Sequence, residues 1–138
     1  EIVVQAFGVS KDYGWIPAAT LIIGLPGETP GDLEDTLNLM DKLRDVPSFI
    51  IPQFFMPMME TVLEHKPRFD VAQMGETHWK ILLSCLNHSV RWADHLRKLY
   101  FTPESFWLKA LYWVGYRLLY FFAWLGGKAV TRRLNLKI

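Results

Sequence analysis

The residues best placed to do chemistry form one short run, Gly24-Leu25-Pro26-Gly27-Glu28-Thr29. Two glycines let a main chain approach a ligand closely, and a helix start just beyond offers free N–H groups. The run lacks the Lys-Ser/Thr of a phosphate-binding P-loop, and its glycine spacing is not that of a dinucleotide loop. Two readings therefore stand side by side: a ligand-facing loop, or a turn followed by a helix cap. A second set, His78, Cys85, His88 and His95, falls within an arc of about 100° on a helix turning roughly 100° per residue. Such side chains can bind zinc, but their spacing matches no standard site, so packing or solvent exposure is expected and no metal ligand is assigned. Cys85 is the single cysteine, which excludes a disulfide scaffold and a multi-cysteine metal site within this chain. No Ser-His-Asp arrangement can be read, and Asp41 and Asp45 read as parts of solvated helix faces, so no catalytic residue is assigned.

The elements that must position the glycine run are legible in the pattern around it. Residues 1–13 read as the end of a helix stopped by Gly14, with Pro17 soon after. Ala18–Leu25 is a short apolar run without polar alternation, which suits a strand buried on both faces. Thr29 is a good N-cap, Pro30 suits the first helical position, and Asp32 completes a capping signature. Leu33, Leu37, Met40 and Leu43 then recur at helical spacing, predicting an amphipathic helix over 30–45 that Pro47 ends. Phe49–Met56 predicts a second buried strand, and Pro52 within it predicts an edge position or a bulge. Strand, turn, helix and strand make a βαβ unit, which feeds a parallel sheet. Two strands alone do not make a stable sheet, so further strands are expected before residue 1. Residues 57–70 read as irregular and 71–100 as one long helix. Thr102-Pro103-Glu104 reads as the cap of a last helix that runs to about Leu125 and stops at Gly126-Gly127.

Thr20-Leu-Ile-Ile-Gly-Leu-Pro-Gly-Glu-Thr29 with its capped acidic helix resembles the fifth strand and following helix of radical S-adenosylmethionine (SAM) enzymes. Lys11-Asp-Tyr-Gly14 resembles the end of the preceding helix, and Phe49–Met56 with its Pro-containing loop resembles the sixth strand. The resemblance covers residues 1–67. It implies a partial parallel barrel in which a Cys-x3-Cys-x2-Cys motif holds an iron–sulfur cluster, with SAM cleaved reductively to a 5′-deoxyadenosyl radical. It places Ile22 and Gly24 beside the adenosine, with Leu25, Pro26 and Gly27 in the adjoining turn, and the backbone from Gln53 to Met56 beside the adenine. The family pattern puts a Glu at position 27, where this chain has Gly, so Glu28 is read equally as a turn support or a ligand contact. Cys85 alone cannot hold the cluster, so either the motif lies upstream, in a missing N-terminal part of the same protein, which is the expectation, or the chain is a degenerate relative. Many relatives with long C-terminal helices also carry a cobalamin-binding domain.

Charge and aromaticity divide the chain. Its net charge is +1, but residues 1–105 carry −5, while 106–138 carry six basic residues and no acidic one. Eleven of the twenty aromatics lie between Tyr100 and Trp124. With 51% apolar and 21% charged residues, the chain is neither a disordered tail nor a nucleic-acid arm. On a helical wheel Lys109, Trp113, Tyr116, Arg117 and Tyr120 oppose Leu108, Leu111, Leu118, Leu119 and Phe122. Such a helix can lie in an anionic membrane interface, pack on its own barrel, or span a bilayer. The positive-inside rule argues against the span.

The sequence therefore predicts an α/β protein, the C-terminal part of a partial parallel (β/α) barrel followed by an α-helical extension. The barrel part is expected over 1–67, a long helix over 68–102, and an aromatic helix with a basic tail over 103–138. The function the resemblance implies is a fragment of a radical SAM enzyme, cytoplasmic and peripheral to membrane, acting on a hydrophobic substrate. The alternative is a non-catalytic, membrane-associated interaction module.

Overall fold

A computed structural model describes residues 2–100 and 105–134, with side chains described through His95 in the long helix and Arg132 in the last. The chain is mixed α/β. Its elements are α1 (Ile2–Asp12), β1 (Ala18–Ile23), α2 (Pro30–Leu43), β2 (Phe49–Phe54), a 3-10 turn (Val71–Gln73), α3 (Glu76–Tyr100) and α4 (Phe106–Leu134). The expected cap at Thr102-Pro103-Glu104 and the end of the basic tail lie outside the described residues.

Local chemistry explains the first boundaries. Gly14 adopts a positive φ of 69°, and the N–H groups of Trp15 and Gly14 bond back to the carbonyls of Ser10 and Lys11. That is a Schellman ending, which favours glycine at this position. Thr29 accepts from the Asp32 N–H while the Asp32 carboxylate accepts from the Thr29 N–H and hydroxyl, and Pro30 opens the helix. The Thr29 hydroxyl and N–H hold the Asp32 carboxyl below its ordinary pKa.

β1 and β2 pair in parallel, with Ala19 opposite Ile50 and Ile22 opposite Gln53. This is the βαβ unit the sequence predicts, and it makes the whole sheet among the described residues. α1, α2 and α3 meet at Ile23 and Ile50 through Phe7, Met40, Leu43, Ile81 and Cys85. Only that face of the sheet is covered. Thr20, Ile22, Ile51 and Gln53 are exposed, Ile22 by 46%. The expectation of strands buried on both faces is thereby corrected. Residues alternate between faces along a strand, and the described helices supply cover to one face of two strands only.

The two sheet edges differ. The Phe49 and Phe55 N–H groups bond to the Pro17 and Ile23 carbonyls, so odd-numbered residues of both strands face each other. Even-numbered residues face outward. On the β2 side, Ser89 Oγ accepts from the Ile50 N–H and donates to its carbonyl, and Pro52 has no N–H to offer. Pro52 thus takes the edge position its residue type predicts. On the β1 side, no strand among the described residues pairs with Ala18, Thr20 or Ile22.

Two helix boundaries depart from expectation. α3 begins at Glu76 instead of residue 71, because Asp70 and Gln73 close a separate capping box and Met74 is extended. α4 runs through Gly126-Gly127 to Leu134. Neither glycine has a positive φ, so neither forms a stop, and each costs only about 1 kcal/mol as an interior helix residue.

Candidate functional site at the carboxyl end of the sheet

Both strands end on the same side, and the glycine run leaves β1 there. Leu25-Pro26-Gly27-Glu28 is a turn in which the Glu28 N–H bonds to the Leu25 carbonyl at 2.9 Å. Pro26 and Gly27, the latter with φ 91°, occupy the positions a type II turn assigns to proline and glycine. Gly24 has φ 78°, and a Cβ there would fall inside the ring of Phe69. Each glycine therefore has a backbone reason, independent of any ligand.

Glu28 binds this turn to the rest of the protein. Its Oε2 accepts from the Gly24 N–H at 3.2 Å and contacts His78 Nε2 at 3.1 Å. His78 Nδ1 accepts from the Gly75 N–H at 3.1 Å, which leaves the ring proton on Nε2, aimed at Glu28. Both side chains are only 15% exposed. The first turn of α3, the end of β1 and the turn before α2 thus meet on one carboxylate oxygen. Of the two sequence readings of Glu28, its observed contacts are those of a turn support.

The strap between β2 and α3 closes over this point. Phe69 bonds through its N–H to the Phe55 carbonyl, and its ring lies 5.2 Å from His78 and 6.0 Å from Phe54. Beside it the carboxyl end presents exposed apolar side chains: Leu25, Phe54, Met56, Met58 and Met59. The parallel register sets Ile22 and Gln53 side by side on the uncovered face, both exposed. So the structure brings together Ile22 with Gln53, and Gly24 with Glu28. Pro26 and Gly27 are exposed at the tip, and Met56 stands just past β2.

Phe69, Gly75 and His78 are the members that sequence reasoning missed. His78 had a signal, but its helical spacing groups it with Cys85, His88 and His95. The structure gives each of the four a different setting. Cys85 is fully buried and within 3.9 Å of Met40 Sδ, and burial pushes its thiol up to about 11. His88 is buried against Ser48 at 2.8 Å, and His95 lies edge-on to Trp92. No metal-binding group of His, Cys, Asp or Glu occurs among the described residues. No protein-family signature, curated protein or solved structure matches this chain.

Proposed function

We propose that this chain is the C-terminal part of a radical SAM enzyme, whose β1 edge continues into further barrel strands. The observation that carries the reading is the pairing of Ile22 and Gln53 on an uncovered sheet face, beside an edge of β1 that no strand among the described residues pairs. An apolar side chain next to an amide, with strand N–H and C=O groups alongside, suits the face and edge of a nucleoside. The blunted outer edge of β2 suits the last strand of an open barrel. Ile22 and Gln53 would hold the adenosine of SAM, and Glu28 would keep the turn beneath it in shape.

The iron–sulfur cluster does not fit this chain. Its one thiol is fully buried and held protonated, so cluster ligands, like any cobalamin domain, belong to flanking polypeptide. Reductive chemistry of this class places the protein in the cytoplasm. The apolar groups at the sheet's carboxyl end suit a hydrophobic substrate. α4 is the element that would hold the protein peripherally at a membrane.

Protein from the complete reading frame, reconstituted anaerobically, should show iron–sulfur absorbance and cleave SAM. Replacing Gln53 with Ala should raise the SAM concentration that this requires. Protein that takes up no iron overturns the reading. The second reading is a non-catalytic membrane-associated module, favoured by Phe69 and Glu28, which already occupy the space and the N–H at Gly24. It predicts no Cys-x3-Cys-x2-Cys motif in the flanking sequence.

A further inference from the structure

An ordinary surface helix turns its Leu face inward and its polar face to water. α4 instead leaves its Leu face exposed. Tyr116 and Tyr120 are half-buried on the α3 side, where the Tyr120 hydroxyl donates to the Val90 carbonyl at 2.8 Å. A groove of about 1030 Å³ runs there, lined by Arg91 and Asp94 of α3 and by Trp113 and Arg117 of α4. Val114, Leu118, Leu111, Phe122 and Leu119 occupy the far side, an arc of about 140° at roughly 100° per residue, and Phe121 stands at its border, where it also lines the groove. All six are exposed, Leu111 by 67% and Phe122 by 65%.

Two basic side chains, Arg117 and Lys128, stand at the border of this arc. Arg117 lies over the Trp113 ring at 5.3 Å, and Lys128 over the Trp124 ring at 3.9 Å. Both fall on the flank next to Phe121. An apolar arc bordered by cations and by Trp and Tyr rings matches a bilayer interface, with apolar groups below and headgroups alongside. From Phe106 onward the sequence holds no acidic residue to repel anionic lipid. No helix among the described residues is long and apolar enough to cross a membrane.

A second copy is the rival occupant, since Leu108, Leu111, Gly115, Leu118, Phe122 and Leu125 keep heptad spacing. The flanking positions argue against it. A two-helix seam is narrow and bordered by charges of both signs, whereas here Val114, Leu119 and Phe121 widen the stripe and every charge is basic.

We infer that α4 docks on α3 through its Tyr face and lies in the plane of an anionic bilayer, inserting Leu111, Leu118 and Phe122 with Arg117 and Lys128 at headgroup level. This rests on the peripheral placement proposed above and adds which face inserts.

The test is co-sedimentation of the full chain with vesicles of phosphatidylcholine alone or mixed with phosphatidylglycerol. Mixed vesicles should bind more tightly, and less so as salt rises from about 0.1 M to about 1 M. Leu111→Gln with Leu118→Gln should weaken binding at least about tenfold. Tyr120→Phe, on the α3 side, should leave it unchanged. Tight binding that the Leu pair does not alter overturns the inserted face but leaves the peripheral reading standing. Absence of binding to both vesicle types overturns both. A dimer in sedimentation that the Leu substitutions dissolve, without vesicle binding, assigns the face to a second copy and overturns the proposal.

Discussion

His88 shows how much one side chain can bind together. It sits on α3, buried, and its Nε2 lies 2.8 Å from Ser48 Oγ just before β2. Ser48 donates its own proton to the Val46 carbonyl, so its oxygen accepts the Nε2–H. Burial first, and then the charge of Arg91, hold the His88 pKa below its ordinary 6.5. The sign follows from linkage. Above pH 6.5 the imidazole is neutral whether the chain is folded or not, and it adds no slope. Below 6.5 the unfolded chain takes up a proton that the native site resists, so stability falls with pH until the folded pKa is reached. The urea midpoint should drop as pH falls below 6.5. In His88→Gln that drop should flatten, although the variant starts lower at neutral pH by about 1–3 kcal/mol, because the Ser48 contact is disturbed. His65, His78 and His95 are common to both proteins, so an unchanged slope in the variant would remove His88 as the cause.

Elements were legible where short-range chemistry sets them. The Thr29 cap, the Gly14 stop, the parallel β1–α2–β2 unit and the edge position of Pro52 all follow from residue type and spacing. What the local pattern does not encode is a contact between distant segments. Glu28 and His78 are fifty residues apart, and nothing near either one names its partner. For the same reason, an apolar strand such as Thr20–Ile23 says that burial is suitable without saying which face receives it. Gly126-Gly127 failed as a stop because glycine ends a helix only by taking positive φ, and there the chain does not. At Gly24 the conformation and the long-range contact coincide, which makes it the sharpest test of how the turn and strap depend on each other. Gly24→Ala introduces a Cβ at φ 78° and drives it into Phe69. Backbone strain alone is about 1–3 kcal/mol, and displacing the ring adds to it. Pairing it with Phe69→Ala should recover only the steric part. A Gly24→Ala protein as stable as wild type would mean that the strap does not rest on the turn.

At the scale of the molecule, the packed centre and the last helix are separable. Phe7, Ile23, Met40, Leu43, Ile50, Ile81 and Cys85 form one cluster from α1, β1, α2, β2 and α3, and none comes from α4. α4 reaches that body through α3, by the Tyr120 hydroxyl and the ring-lined groove. Among the described residues its Leu face joins no buried cluster and stays exposed, so composition alone misleads here. An apolar, aromatic helix reads as core, yet Leu111, Leu118 and Phe122 of α4 stand exposed. The stability of the α/β body should accordingly be nearly indifferent to α4. Tyr120→Phe removes one hydrogen bond to a backbone carbonyl, about 0.5–1.5 kcal/mol at most, and loosens only the α3–α4 contact. Ile81→Ala, at a position 1% exposed, should cost about 2–5 kcal/mol through lost burial and the cavity left behind. Amide hydrogen exchange resolves the two. Ile81→Ala should speed exchange throughout β1, β2 and α2, whereas Tyr120→Phe should speed it in α4 alone. Faster exchange in the sheet of the Tyr120→Phe protein would show that α4 belongs to the same cooperative unit.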